Sequence, residues 1–344
     1  MLLGNKGYGI LVCFLIALPA WLLGKAFPIV GGAVLAILAG MLITLFWKEH
    51  GRAAEGICWT SKVILQAAVV LLGFGMNLYD IVETGISSLP IIVSTISVSL
   101  IIAWALRRKM NISRNTSVLI GVGSSICGGS AIAAAAPVVK ADSNEIAQSL
   151  SVIFLFNAMA AMLFPMLGSL IGFDTASGNA FGIFAGTAIN DTSSVTAAAA
   201  TWDSMWGLGT QTLDEAVTVK LTRALAIIPI TLLLAVWMDS KENRKGSFLP
   251  ALRLKRVFPA FILYFVLAAV FTTACLKLGI QAEVFQPLKE LSKFFIVMAM
   301  AAVGLNSDIV RLIGSGGKPV LLGACCWGGI TIVSLVMQHI LGIW

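Results

Sequence analysis

Two apolar stretches of this chain are interrupted by polar residues in the same way, and those interruptions constrain the fold more than any other feature. The first reads Gly123-SSICGGSAIAAAA-Pro137 and the second Gly186-TAINDTSSVTAAA-Ala200, 63 positions further on. An unpaired N–H or C=O costs several kcal/mol in hydrocarbon, so non-helical backbone at membrane depth persists only where protein buries it or it lines a watery cavity. Paired breaks in corresponding parts of an internal repeat are the sequence pointer to the midplane site of a secondary transporter.

That reading requires a membrane protein, and composition supplies one. The 344 residues are 58% hydrophobic and 11% charged, with a mean hydropathy of +0.96, against roughly 25% charged residues in an ordinary soluble domain. Apolar stretches fall near 8–23, 28–47, 61–76, 87–106, 117–139, 146–171, 178–200, 219–237, 257–278, 290–305 and 319–341, and about 20 residues of helix span a bilayer. The expected fold is an all-α polytopic membrane protein of about 9–11 transmembrane segments. Residues 1–344 form one integral transporter domain, scaffold and core interleaved, with 117–139 and 178–200 discontinuous. Lys6 precedes the first segment, but another apolar segment follows within a few residues, so no cleaved signal is expected.

The net charge of +7 does not point to nucleic acid, because the basic residues sit in short connections. Arg107, Arg108, Lys109 and Arg114 fill one; Lys241, Arg244, Lys245, Arg253, Lys255 and Arg256 fill another; Lys48, Arg52 and Lys62 mark a third. The positive-inside rule places these loops in the cytoplasm together with the N-terminus. The connections holding Asp80 and Glu83, Asp203, Asp214 and Glu215, and Glu283 then lie outside. Six cysteines (13, 58, 127, 275, 325 and 326) show no C-x-x-C spacing, and His50 and His339 lie far from the breaks. Neither a metal site, a disulfide nor a His-based triad is expected, and no cofactor is implied.

A second internal echo pairs Ser61-Lys62 and Gly73 with Ser292-Lys293 and Gly304, then Asp80-Ile81-Val82 with Asp308-Ile309-Val310 and Pro90 with Pro319. On the loop map the first copy runs outward and the second inward, the pattern of inverted repeats in alternating-access carriers. The broken segments leave two topologies open. Either both cross the membrane in the same direction, or both are re-entrant hairpins entering from opposite sides, which fits inverted symmetry better.

The stretches GSSICGGSAIAAAAPVVKADSNEIAQSLSVIFLFN, FAGTAINDTSSVTAAAA and MAMAAVGLNSDIVRLIGSGGKP, in that order, resemble the YeiH family of bacterial inner-membrane proteins, which carry the name of sulfate exporters. The likeness covers essentially the whole chain. That family is distantly similar to the cation/proton antiporter and bile-acid/sodium symporter group, and Gly123–Asn157 and Leu72–Leu106 resemble the group's broken-helix and glycine-rich regions. The resemblance implies a core with discontinuous helices moving against a scaffold, a location in the bacterial inner membrane, and sulfate or a related sulfur oxyanion as substrate. A homodimer is implied only by analogy with the distant group.

Candidate site residues follow from the breaks. Ser124, Ser125, Cys127, Gly128, Gly129 and Ser130 expose N–H groups and hydroxyls beside a half-helix N-terminus, a ready anion site; the alternative is close packing of small residues. Thr187, Asn190, Thr192 and Ser193 surround Asp191, whose charge costs roughly 2.5–3.5 kcal/mol at membrane depth. Asp191 either couples transport to H⁺ or Na⁺ or caps the following half-helix. Asn157 needs a partner inside its segment. Lys220 and Arg223 share a helix face and either turn inward to an anion, Arg223 being the deeper, or snorkel to the interface; Lys140 is expected at an interface. The expected function is an alternating-access secondary carrier of a small anion in the lipid bilayer, driven by a gradient since no Walker signature occurs. The alternative is a monovalent cation/proton antiporter built on Asp191. An enzyme using Ser125 or Ser130 lacks a base, and a channel is disfavoured by the repeat.

Overall fold

The computed structural model describes residues 2–26, 32–47, 49–74, 76–226, 230, 233–234, 260–278, 280–306 and 317–344. Among them every regular element is helical, as a chain with so few groups to spare for solvent requires. Five helical rods are long and apolar enough to cross a membrane: Lys6–Ala26, Gly51–Gly73, Leu78–Met110, Asn144–Ile171 and Gly317–Ile340. Lys48, Gly75, Trp237, the basic residues between 241 and 256, and Ser307–Val310 of the second echo lie outside the described residues.

Helices α1 (Leu2–Ala26), α2 (Gly32–Phe46), α3 (Ala54–Trp59), α4 (Leu65–Gly73), α12 (Ala260–Lys277) and α13 (Gln286–Leu305) pack as one group. A π-helical turn over Thr60–Ile64 joins α3 to α4. Small residues set the spacing here. A Cβ on Gly304 would lie 2.3 Å from the Ile37 carbonyl, and one on Gly9 2.3 Å from the Ala53 carbonyl, so α2 meets α13 and α1 meets α3 backbone to backbone. Thr44 Oγ1 donates across the first seam to Leu305 O at 2.8 Å, and Ser292 Oγ donates to Ala68 O at 2.7 Å. With Asn306 Nδ2 donating to Ser61 Oγ at 3.3 Å, the Ser292 bond lays the echoing segments that start at Ser61 and Ser292 antiparallel to one another, whereas α2 and α13 run parallel.

The second group contains α5 (Leu78–Met110), α6 (Arg114–Ser125), α7 (Gly129–Val139), α8 (Ser143–Ile171), α9 (Asn179–Ala188), α10 (Thr192–Trp206), α11 (Gln211–Ala224) and α14 (Gly317–Ile340). Helix α5 begins nine residues before the expected apolar stretch because Asp80 and Glu83 belong to its first turns; a hydropathy window discards such polar turns.

Both broken segments are hairpins. Ser113 Oγ at the start of α6 donates to Glu145 Oε1 at 2.7 Å, and Asn115 Nδ2 donates to Glu145 Oε2 at 2.9 Å, at the start of α8. The α6–α7 segment therefore returns to the end from which it entered, the basic end marked by Arg107–Arg114. At the other end Phe181 of α9 stacks on Trp202 of α10, centroids 4.2 Å apart. Asp203 at the end of α10 accepts from Thr212 N and Leu213 N at 2.9 and 3.0 Å. The α9–α10 segment thus enters and leaves at the acidic end. Of the two topologies open from sequence, the opposed hairpins are the one formed among the described residues.

Local chemistry explains three of the helix starts around these hairpins. Ser113 caps α6, Asp142 and Glu145 form a capping box on α8, and Asp191 caps α10, each side chain satisfying N–H groups that a helix start leaves orphaned. Gly128, at φ 65° and ψ −124°, makes the tip of the first hairpin, a conformation open only to glycine.

Candidate functional site

The two hairpin tips meet. A Cβ on Gly128 would lie 3.5 Å from Asn157 Nδ2 and 3.6 Å from Asp191 Cβ, so the first tip abuts the second hairpin and α8. Asn157 Oδ1 accepts from Asn190 N at 3.1 Å, tying α8 to the second tip.

Four helix termini converge at these tips: the C-terminal ends of α6 and α9 and the N-terminal ends of α7 and α10. The C-terminal ends expose carbonyls with no intrahelical partner. Lys220 and Arg223 of α11, both wholly buried, supply the donors. Lys220 Nζ donates to Ile126 O at 2.7 Å, to Ile189 O at 3.3 Å and to Asn190 O. Arg223 Nε and Nη2 donate to Ser125 O and Ser124 O at 2.8 and 2.9 Å, and Nη1 donates to Thr187 O. One guanidinium fork and one ammonium thus clamp both tips, a geometry suited to Arg's fixed donors. The expectation that these cations snorkel to an interface is corrected, because the carbonyls they satisfy lie in the interior.

Beside the tips is a cavity of about 590 Å³ between the two helix groups. Its polar wall holds Cys127, Gly129, Ser130, Asn157, Asp191, Thr192, Ser193 and Ser194; exposed Cys58, Lys62 and Asn306 also line it. Asp191 is partly exposed to it and accepts from Ser193 N at 3.1 Å and from the Ser193 hydroxyl. The N-termini of α7 and α10 both face this space.

The expected substrate residues therefore divide. Cys127, Gly129, Ser130, Asn157, Thr192 and Ser193 line the cavity with Asp191. Ser124, Ser125, Thr187, Asn190 and Arg223 do not; they form the clamp behind it, and Arg223 as a direct ligand is corrected because its fork already serves backbone carbonyls. Gly128 shapes the tip. Thr187 Oγ1 is bonded to Ser334 Oγ of α14 at 2.7 Å. Lys140 is exposed at the end of α7, as expected.

Helix α8 and helix α11 use corresponding positions. A Cβ on Gly123 would touch Ile153 at 3.1 Å, and one on Gly186 would touch Val219 at 2.7 Å. One turn beyond those contacts stand Asn157 and Arg223. Asn157 reaches the tip of the second hairpin, and Arg223 reaches the tips of both.

Helix ends carry about half a charge each, negative at C-termini and positive at N-termini. The two C-termini together offset one of the two cations, and the two N-termini offset Asp191. About one positive charge is left at the tips. Among the described residues no group of three or more His, Cys, Asp or Glu side chains could hold a metal ion, and all six cysteines are free thiols.

Residues 8–323 match the family described as Conserved hypothetical protein 698. The chain belongs to this family. A UPF0324 membrane protein of Streptococcus mutans is 57% identical over 341 residues, covering 99% of this chain and 98% of its own length. One from Fusobacterium nucleatum is 55% identical over 352 residues, covering 99% and 100%, and one from Streptococcus pyogenes serotype M6 is 56% identical, covering 98% and 97%. No solved structure matches. The family read from three motifs is upheld as a family of membrane proteins, and none of these names carries a substrate.

Proposed function

We propose that this protein is a secondary carrier that moves a small anion across the bacterial inner membrane by alternating access. One observation carries the reading: two wholly buried cations, Lys220 and Arg223, stand behind the hairpin tips against a single carboxylate, Asp191. Burying an uncompensated charge is expensive, and the residual positive charge is best matched by an anion arriving from the cavity. The N–H groups of α7 and α10 and the hydroxyls of Ser130, Thr192 and Ser193 replace its lost water. A sulfur oxyanion, the substrate class implied by the family resemblance, presents acceptors only and suits the N–H and hydroxyl donors of this wall.

Asp191 is the coupling group in this scheme. Protonation leaves the site with about two positive charges, so a dianion enters with H⁺; Na⁺ at the carboxylate has the same electrostatic effect. The opposed hairpins act as the two halves of an inverted repeat. With the basic end cytoplasmic by the positive-inside rule, the cavity beside Lys62 opens inward.

Counterflow of labelled sulfate into proteoliposomes preloaded with sulfate, sulfite, thiosulfate or chloride tests the proposal. Exchange that needs an internal oxyanion and weakens in Ser130→Ala is expected. Absence of counterflow with every anion, together with cation-driven proton movement lost in Asp191→Asn, refutes it in favour of an antiporter.

A further inference from the structure

The cavity is far larger and more apolar than an inorganic oxyanion needs. A five-atom oxyanion occupies the room of about three waters, roughly 90 Å³ at 30 Å³ per water, whereas the cavity measures about 590 Å³. One set of its polar groups clusters at the hairpin tips, and Ser61, Lys62, Gln66 and Asn306 stand on the other helix group. Elsewhere its wall includes Leu65, Val69, Ala133, Leu150, Phe154 and Phe261. A largely apolar concavity of this size with a few convergent polar groups is the form of a site for an organic molecule.

A second observation marks where the head of such a ligand sits. Asn157 Nδ2 is buried and has no hydrogen-bond partner, although Asn157 lines the cavity and its Oδ1 is bonded to Asn190 N. An orphaned amide donor of this kind costs about 1–3 kcal/mol unless a ligand takes it. It lies against the first hairpin tip, next to the N-terminus of the eleven-residue α7. Leu150 and Phe154, two turns and one turn before Asn157 on α8, flank the same terminus, each within 3.4 Å of a Cβ placed on Gly129. Donors and apolar wall therefore adjoin.

Resting on the anion reading, we infer that the substrate is an organic monoanion, a sulfonate or carboxylate bearing a short apolar body. Its charged head takes the Asn157 amide and the α7 and α10 N-termini; its body lies along Leu150 and Phe154 toward Leu65 and Phe261. A single negative charge matches the about one positive charge left at the tips without protonation of Asp191.

Isothermal titration of the purified full-length chain with sulfate, methane-, propane- and hexanesulfonate, hexanoate and hexanol tests this. Affinity is expected to rise roughly fourfold per methylene through the sulfonates, with hexanol failing to bind. Hexanoate against hexanesulfonate identifies the preferred head. Phe154→Ala should flatten the chain-length dependence, so that hexanesulfonate loses far more affinity than methanesulfonate. Asn157→Asp keeps the acceptor for Asn190 N while removing the donor, and should weaken every anion at least tenfold. Sulfate and methanesulfonate binding with no gain from chain length overturns the inference and leaves the anion carrier standing, as does hexanol binding as well as hexanesulfonate. Binding of no anion at all removes both.

Discussion

Replacing Arg223 by leucine should unlock the hairpin tips. The guanidinium is wholly buried and serves Ser124 O, Ser125 O and Thr187 O, with longer contacts of 3.4 Å to Ile189 O and Asn190 Oδ1. Each hydrogen bond to a charged group contributes about 1.5–3 kcal/mol net, but the three are not additive because the tips relax together. Loss of one partner of a buried charged cluster typically costs 3–5 kcal/mol, and that is the expected destabilisation. Arg223→Lys restores the charge but reaches only part of the fork, so roughly half of the loss should remain. Equilibrium unfolding of the purified protein in detergent measures both, with Arg107→Leu, half-buried in the last turn of α5 and away from the tips, as the control. If Arg223→Leu is no less stable than Arg107→Leu and still exchanges anions, the clamp does not hold the tips and the reasoning fails.

Other substitutions separate packing from site. Gly128→Ala forces a side chain onto φ 65°, ψ −124°, costing about 1–3 kcal/mol; anion affinity measured by titration should fall more than tenfold as the tip shifts. Gly304→Ala places a Cβ 2.3 Å from Ile37 O, so thermal unfolding should show a loss of at least 1–3 kcal/mol while the folded fraction keeps normal affinity. Lys289 joins α13 to the start of α11, donating to Asp214 Oδ2 at 3.0 Å and Thr210 Oγ1 at 3.2 Å. Lys289→Ala should loosen the acidic end and speed alkylation of a cysteine placed at Ser204, which lines a 320 Å³ pocket there; an unchanged rate would show that this bridge closes nothing.

The helices and their breaks were legible because lipid leaves a backbone few choices, and glycine, serine and aspartate clustered where those choices ran out. The hairpin geometry was not fixed by composition: it depends on Glu145 meeting Ser113 and on Asp203 meeting the Thr212 and Leu213 N–H groups, and the two acids look like ordinary loop polars. Lys220 was legible as a cation sharing a face with Arg223, but the sequence left that face open between the interior and a snorkelling position. The missing signal is the unmet carbonyls of two half-helices ending in the interior, which demand donors from the next helix. Phe154 and Leu150 carry no sequence mark separating a cavity wall from a lipid face. The glycines at 178, 182 and 186, which let α9 lie on Thr212, Glu215 and Val219 of α11, are a four-residue repeat of small residues that a search for close helix packing would find.

The central claim is that the meeting hairpin tips bind an anion. Charge displacement in proteoliposomes adsorbed on a solid-supported membrane, recorded after a jump in external anion at fixed pH and cation, tests it most directly. The account predicts a saturable transient with sulfate or an alkanesulfonate that is lost in Asn157→Asp and retained in Arg107→Leu. Silence to every anion, with a transient on a Na⁺ or pH jump that Asp191→Asn abolishes, would contradict it.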